Sequence, residues 1–350
     1  MATFTAPATS SSRKIQIVRL AHVYYAHKNL ASASKFLEDF GFVESKRCPD
    51  RIFYRGYGAD PFVYCAVSGS SDSFGGVAAE VGTLEDLELA SATIPGATSI
   101  YDLGTEKGAP GAGKGVTFHD PVDGWPMHLV WGQEKRRCEE AAEDEAGEKK
   151  KKKKKEEEEE EEQAFRYLEF NFFGASATSE LTMFSNKGPA LIHKLGHFGM
   201  CVTDFKKAYE FYTGRFNFVA SDLLHNPAGQ YEASFMHIDL GVNFTDHHSF
   251  FIFQGPVSHV HHTSYEVHDF DTEVLGHDWL RNRGYKNCWG VGRHVMGSQI
   301  FDYWYDPSDF IVEHYVDGDL VNEDTETKIS ESSPDGLHVW GPDLPDGFLA

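Results

Sequence analysis

Leu195-Gly196-His197-Phe198-Gly199-Met200 leads through Phe205 and Phe211 to Asn217-Phe218-Val219, and the same order occurs earlier in the chain. There Leu20-Ala21-His22-Val23-Tyr24-Tyr25 leads through Leu30 and Phe36 to Gly41-Phe42-Val43. Each stretch reads as a strand alternating around a histidine, then a helix, then a strand. Asp204 is placed to cap the second helix, and Phe205, Ala208, Tyr209 and Tyr212 follow at helical spacing. The likeness continues downstream. Ala79-Glu80-Val81 stands where Tyr265-Glu266-Val267 does, and Asp120-Pro121 to Gly124 where Asp306-Pro307 to Phe310 does. The expected fold class is therefore α+β, with tandem βαβββ modules whose curved mixed sheets enclose a pocket suited to a small ligand.

Between the repeats, Glu139 to Glu148 precedes Lys149–Lys155 and then Glu156–Glu162, blocks of like charge far too polar for a core. This divides the chain into a first module at 15–132, a charged spacer or insertion at 133–163, and a second module with its tail at 164–350. The spacer is given no chemistry.

The chain has 350 residues, of which 41% are hydrophobic and 14% aromatic, enough for a sizeable core. Lys and Arg number 32 against 54 Asp and Glu, a formal charge of −22, which argues against nucleic-acid or anionic-lipid binding through a basic face. Small-molecule partners are expected. The cysteines Cys48, Cys65, Cys138, Cys201 and Cys288 are scattered and form no CxxC pair, as for reduced thiols. Met1 to Lys14 offers no apolar leader, and no later run is apolar enough to span a bilayer. A cytoplasmic, membrane-free protein is the expectation, with a homo-oligomer left open.

Histidine is abundant, at 18 residues, with many between His193 and His314. An ordinary hydrogen-bonding role is the commoner use of any one of them, so spacing has to carry a further reading. His197 lies on the first strand of the second module, His262 in His261-His262-Thr263-Ser264-Tyr265, and Glu313 in the apolar run Phe310-Ile311-Val312-Glu313. Alternation sends all three to one kind of face. A carboxylate inside an apolar strand is expensive to bury unless a cation compensates it. An arginine partner or an edge strand would also account for Glu313 alone. Two imidazoles and a carboxylate make the facial triad that holds Fe(II) with positions left open.

At these residues the second module resembles the catalytic half of the type I extradiol dioxygenases of the vicinal oxygen chelate (glyoxalase, bleomycin resistance, dioxygenase) superfamily. The resemblance is carried by Leu195-Gly196-His197-Phe198, by His261-His262 leading to Glu266-Val267, and by Asp306-Pro307 leading to Glu313-His314-Tyr315. It covers 191–345 well and 19–131 weakly. Phe310 departs from the pattern, which carries glycine near that point of the turn.

The resemblance implies that His197, His262 and Glu313 bind Fe(II), with Mn(II) also admissible. It further implies an active-site histidine on the strand before the second ligand, a histidine in a Gly-Arg-His segment, and a tyrosine upstream of the glutamate. His248, His294 and Tyr303 match, lying 14 residues before His262 (262 − 248) and 19 and 10 before Glu313 (313 − 294, 313 − 303). A one-residue register slip exchanges His247 and His248 between faces; His248 is the choice made here.

The implied activity is O₂-dependent extradiol ring cleavage of a catechol-type or trihydroxylated aromatic, in aromatic compound catabolism. His248 is expected to act on the bound oxygen and as general acid, with Tyr303 beside it in catalysis and His294 binding the substrate oxygens. The alternatives are another reaction of the superfamily, glyoxalase-like or 4-hydroxyphenylpyruvate-dioxygenase-like, or a small-molecule binder without catalysis.

In the first module the triad positions fall on His22, Gly76 and Met127 or His128, with no carboxylate, so that module is expected to be metal-free. His338 to Pro345, containing Trp340-Gly341-Pro342, resembles the close of some relatives and is expected to cover the pocket mouth. Tyr265, Trp289, Phe301 and Trp304 suit a planar ring, though alternation must send some to the core, and Arg293 suits either a substrate carboxylate or a partner in the fold.

Overall fold

The computed structural model describes residues 13–136, 188–333 and 336–349. Of the charged spacer, 137–163 lies outside these residues, as do Cys138 and the first part of the second module, 164–187.

Each half builds one sheet from two βαβββ units, as the repeat requires. The first sheet has eight strands, in the order Val43–Arg47, Arg51–Arg55, Tyr64–Ser68, Ile17–His27, Ser73–Val81, Pro126–Trp131, Lys114–His119 and Tyr101–Asp102. The second has ten, in the order Lys328–Glu331, Phe218–His225, Tyr231–Ile238, Phe250–Gln254, Leu195–Val202, His259–Glu266, Ile311–Val316, Ile300–Tyr305, Asn287–His294 and His338–Trp340. Both sheets are mixed and curled.

One rule organises both. The opening strands of the two units pair antiparallel with each other, and each pairs parallel with the last strand of its own unit. Four strands of each half thereby lie at its centre. Helices Leu30–Phe40, Leu84–Thr93, Phe205–Arg215 and Phe270–Asn282 form the crossovers. Asp204 caps the third of these by accepting from the Lys207 N–H, and Phe205, Ala208 and Tyr212 are its buried stripe.

The halves share a core in which Phe36, Phe40 and Tyr64 belong to the same cluster as Phe198, Tyr265 and Trp304. Polar pairings between the halves are specific. Asn217 reads the backbone of Ile17 at both its N–H (2.8 Å) and its carbonyl (2.9 Å), Tyr212 donates to Asp120 at 2.9 Å, and His314 Nε2 bonds the Phe40 carbonyl at 2.7 Å. His314 and Glu313 are neighbours on a strand, so alternation sends one to this interface and the other into the second sheet's pocket.

The turn before Glu313 shows how Phe310 is tolerated. Asp306 Oδ1 accepts the Ser308 and Phe310 N–H groups, and Asp309 takes the left-handed conformation at φ 63°. Aspartate can occupy that region through local hydrogen bonding, which frees Phe310 to pack its ring 4.6 Å from Tyr25 across the halves. No helix of the described residues is long and apolar enough to cross a membrane.

Candidate metal centre

Strand register brings the predicted triad together. Ser264 is paired with His197 on one side and with Glu313 on the other, so the three lie in a row across adjacent strands. His262 stands two residues before Ser264 and therefore on the same face. Ligand atoms of His197, His262 and Glu313 lie within 4.8 Å of one another. Glu313 Oε2 is 3.0 Å from His197 Nε2 and 3.7 Å from His262 Nε2. All three side chains are buried, and Glu313 is fully so. The backbone opposite His262 is Gly199, where a Cβ would stand 2.8 Å from the His262 ring; glycine makes room for that imidazole.

The donor set fits a divalent cation. His262 Nε2 and Glu313 Oε1 are buried without a hydrogen-bond partner among the described residues, while Ser264 Oγ is the donor to Glu313 Oε2. Burial and the neighbouring His261 and His197 hold the His262 imidazole well below the usual histidine pKa, so it is neutral, as a ligand must be. A buried carboxylate set among imidazoles and hydroxyls, with no Lys or Arg paired to it among the described residues, is suited to compensation by a divalent cation.

His261 completes an outer layer. Its Nδ1 is 2.6 Å from His262 Nδ1 and its Nε2 is 2.5 Å from the Phe348 carbonyl. The carbonyl only accepts, so His261 carries its proton on Nε2 and accepts at Nδ1 from His262. That leaves His262 Nε2 with its lone pair toward Glu313. Outer contacts of this kind set the tautomer of a ligating histidine.

His248 lies with its ring centroid 4.3 Å from that of His197 and 5.0 Å from Phe235. It is not on a strand; it sits in the bend between Thr245–Asp246 and Phe250–Gln254. The choice between His247 and His248 is consequently set by that bend, where strand alternation does not apply. His247 turns away, with Nε2 2.8 Å from Asp222. Tyr303 is paired in register with Glu313, and its hydroxyl is 2.9 Å from His294 Nε2. His294 Nδ1 bonds the Leu337 carbonyl at 2.8 Å, so Nε2 is the acceptor and Tyr303 the donor. Burial lowers the His294 pKa, and burial together with the Glu313 charge raises that of Tyr303 well above the ordinary phenol value. His248 thus stands against His197, while Tyr303 and His294 stand on the side of His262 and Glu313.

Other expectations divide. Trp289 and Phe301 cluster with Tyr303, whereas Tyr265 and Trp304 join the main core. Arg293 is paired internally, to Asp317 at 2.5 Å and to the Ser298 carbonyl at 2.7 Å. In the tail segment His338–Trp340 adds an edge strand beside Asn287–His294 with Trp340 exposed, while the Pro342 carbonyl accepts from Trp289 Nε1 at 2.8 Å and Leu344 packs on the cluster of Trp289 and Tyr303. Phe348, further on, packs its ring 5.1 Å from Tyr303, 5.0 Å from Trp289 and 4.7 Å from His261. Sequence patterning had no means to find it, because one aromatic in a polar tail has no period. His261 had a signal, its place in the His-His pair.

In the first module, strand register puts His128 at the position of Glu313, through Ala78 as the counterpart of Ser264. Met127 falls on the other face. His22 Nε2 is 3.0 Å from the Tyr24 hydroxyl, and His128 bonds Thr117 Oγ1 at 2.8 Å and the Gly75 carbonyl at 2.9 Å.

Residues 194–313 match the sequence model of the Glyoxalase/Bleomycin resistance protein/Dioxygenase superfamily. A curated relative, metapyrocatechase 2 of Cupriavidus necator, is 28% identical over 160 residues, 45% of this chain and 48% of the relative. The chain thus spans about half the length of the curated relative it matches. Among solved structures, homoprotocatechuate 2,3-dioxygenase from Brevibacterium fuscum in complex with 3,4-dihydroxyphenylacetate is similar with a TM-score of 0.76 at 16% identity, covering 98% of this chain and 94% of that one. The Arthrobacter globiformis enzyme of the same name gives 0.75 at 18%, covering 99% and 94%. An Mn(II)-bound glyoxalase from Novosphingobium aromaticivorans gives 0.71 at 18%, covering 95% of each chain. These likenesses establish the fold.

Proposed function

We propose that this protein is an Fe(II)-dependent extradiol dioxygenase acting on a small catechol-type or trihydroxylated aromatic, with His197, His262 and Glu313 as metal ligands. The observation that carries the reading is the joint presence of the buried triad and the group His248, His294 and Tyr303 beside it. The match to a metapyrocatechase supports it. Isomerisation of the glyoxalase type has no evident use for that group, and a simple binder has no need of the triad. Mn(II) suits the same donors.

When bound, a ferrous ion here supplies open positions for a diol and for O₂ and a redox link between them, which answers the slow reaction of triplet O₂ with closed-shell rings. The remaining work falls to side chains. The Tyr303 hydroxyl donates its hydrogen bond to His294 Nε2, so its oxygen is free to accept one from a substrate hydroxyl. A proton leaving the diol then has a path to His294. On the His197 side His248 would act as the general acid, its Nε2 taking a proton from a substrate hydroxyl and returning it to oxygen during ring opening. Trp289, Phe301 and Phe348 line the approach with apolar surface and keep water from the reacting groups.

The test is to load the protein anaerobically with Fe(II) and admit O₂ to a panel of catechols and trihydroxybenzenes. O₂ uptake with a yellow ring-opened product is expected for some member. Bound Fe(II) without O₂ uptake across the panel would sink the proposal, and failure to retain Fe(II) would favour a binder. His261→Phe keeps an aromatic ring but neither nitrogen, so His262 loses the acceptor that sets its tautomer. Metal affinity is expected to fall on the order of 10- to 100-fold, read by competition against a chelator; an unchanged affinity would remove His261 from the metal's outer layer.

A further inference from the structure

Behind His248 lies a second layer of buried polar groups that the proposed reaction has not used. His248 Nδ1 is 3.2 Å from His247 Nδ1, and His247 Nε2 is 2.8 Å from Asp222 Oδ2. His247, His248 and Asp222 are all buried. His247 is fixed by its backbone, its N–H donating to the Asp319 carbonyl at 3.0 Å and its carbonyl accepting from Ser221 Oγ at 2.5 Å.

Local structure explains how two consecutive residues serve one histidine. In a regular strand Ser221 and Asp222 would face opposite ways. A register shift between Ala220 and Asp222, in the pairing of Phe218–His225 with Tyr231–Ile238, breaks that alternation. Bulges of this kind re-aim side chains beside active sites. Here the Ser221 hydroxyl meets the His247 carbonyl while the Asp222 carboxylate meets its ring.

We propose that Asp222 and His247 are positioning residues that hold His248 in one orientation and one tautomer; this rests on the reading of His248 as the group that moves a proton. The Asp222 carboxylate only accepts, so His247 keeps its proton on Nε2 and presents a lone pair at Nδ1. His248 must then carry its own proton on Nδ1, which leaves Nε2 with a lone pair for the site. Gln299 faces the same Nδ1 with its amide nitrogen at 3.5 Å, and its Oε1 is buried without a partner. Turning that amide end for end gives Oε1 the Nδ1 proton as a second acceptor. The 2.8 Å approach of His247 Nε2 to Asp222 Oδ2 is a close polar contact, not an aligned hydrogen bond. The logic is that of an aspartate orienting a catalytic histidine.

The test is a double-mutant cycle on the Fe(II)-loaded protein, with Asp222→Asn made alone and together with His248→Phe. Asn keeps the volume but offers an N–H where the carboxylate accepted. Alone it should lower kcat on the order of 10- to 100-fold, with metal content and KM unchanged, and it should cost nothing more in the His248→Phe background. Should Asp222→Asn fail to fold, His247→Phe is carried through the same cycle. A normal kcat, or an equal loss on top of His248→Phe, overturns the proposal. A His248→Phe protein that turns over at the wild-type rate overturns instead the reading on which it rests, and that appears in the single variant alone.

Discussion

Glu313→Ala is expected to fold, to lose its metal and to open no rings. The carboxylate is fully buried on a central strand, faces His197 and His262, and meets the Ser264 hydroxyl, with Tyr303 and His294 close by. Without a cation it is a charge held in an apolar strand at a cost of several kcal/mol. With one, it supplies the only carboxylate of the group of three. Loss of an outer contact costs a metal about 10- to 100-fold, so loss of a ligand should exceed ~100-fold in affinity. Thermal stability gives an independent sign. Metal should stabilise the wild type by about 2.7 kcal/mol at a hundred times its Kd, raising its melting midpoint, and should leave Glu313→Gln unmoved. Metal-free Glu313→Gln should in turn match or exceed the metal-free wild type, because it no longer buries an uncompensated charge. Metal analysis and melting with and without Fe(II) check both. Stoichiometric iron with normal turnover in Glu313→Ala would remove Glu313 from the centre.

His248→Phe separates chemistry from binding. Its ring packs on His197 and Phe235, and phenylalanine can keep those contacts. Metal content and catechol affinity should be close to wild type. Turnover should fall about 10²- to 10⁴-fold, the usual worth of a positioned acid or base. Stopped-flow binding under anaerobic conditions followed by O₂ mixing reads the two separately. A variant with unchanged kcat at neutral pH would move the role elsewhere.

Fold and triad were legible in the sequence for a common reason. Both rest on strand alternation and on a repeat, and these survive without knowledge of tertiary contacts. His197, His262 and Glu313 stand on the two opening strands and one closing strand of the second module, where the repeat fixes the register. What alternation could not reach was what left the strands. His248 is set by a bend, Asp222 by a bulge, and Phe348 by a tail that returns over the sheet after His338–Trp340. Within 338–345 the strand pairing turns Trp340 outward, while Pro342 and Leu344 meet Trp289 and its cluster. Phe310 was a departure in sequence only, since Asp309 supplies the left-handed residue of the turn.

The most direct measurement of the central claim is the fate of labelled oxygen. The Fe(II)-loaded protein, given ¹⁸O₂ and a catechol that it consumes, should yield one ring-opened product carrying both labelled atoms, with the ring cut beside the diol. A product carrying one label or none, or cut between the two hydroxyl-bearing carbons, would contradict extradiol dioxygenation by this site.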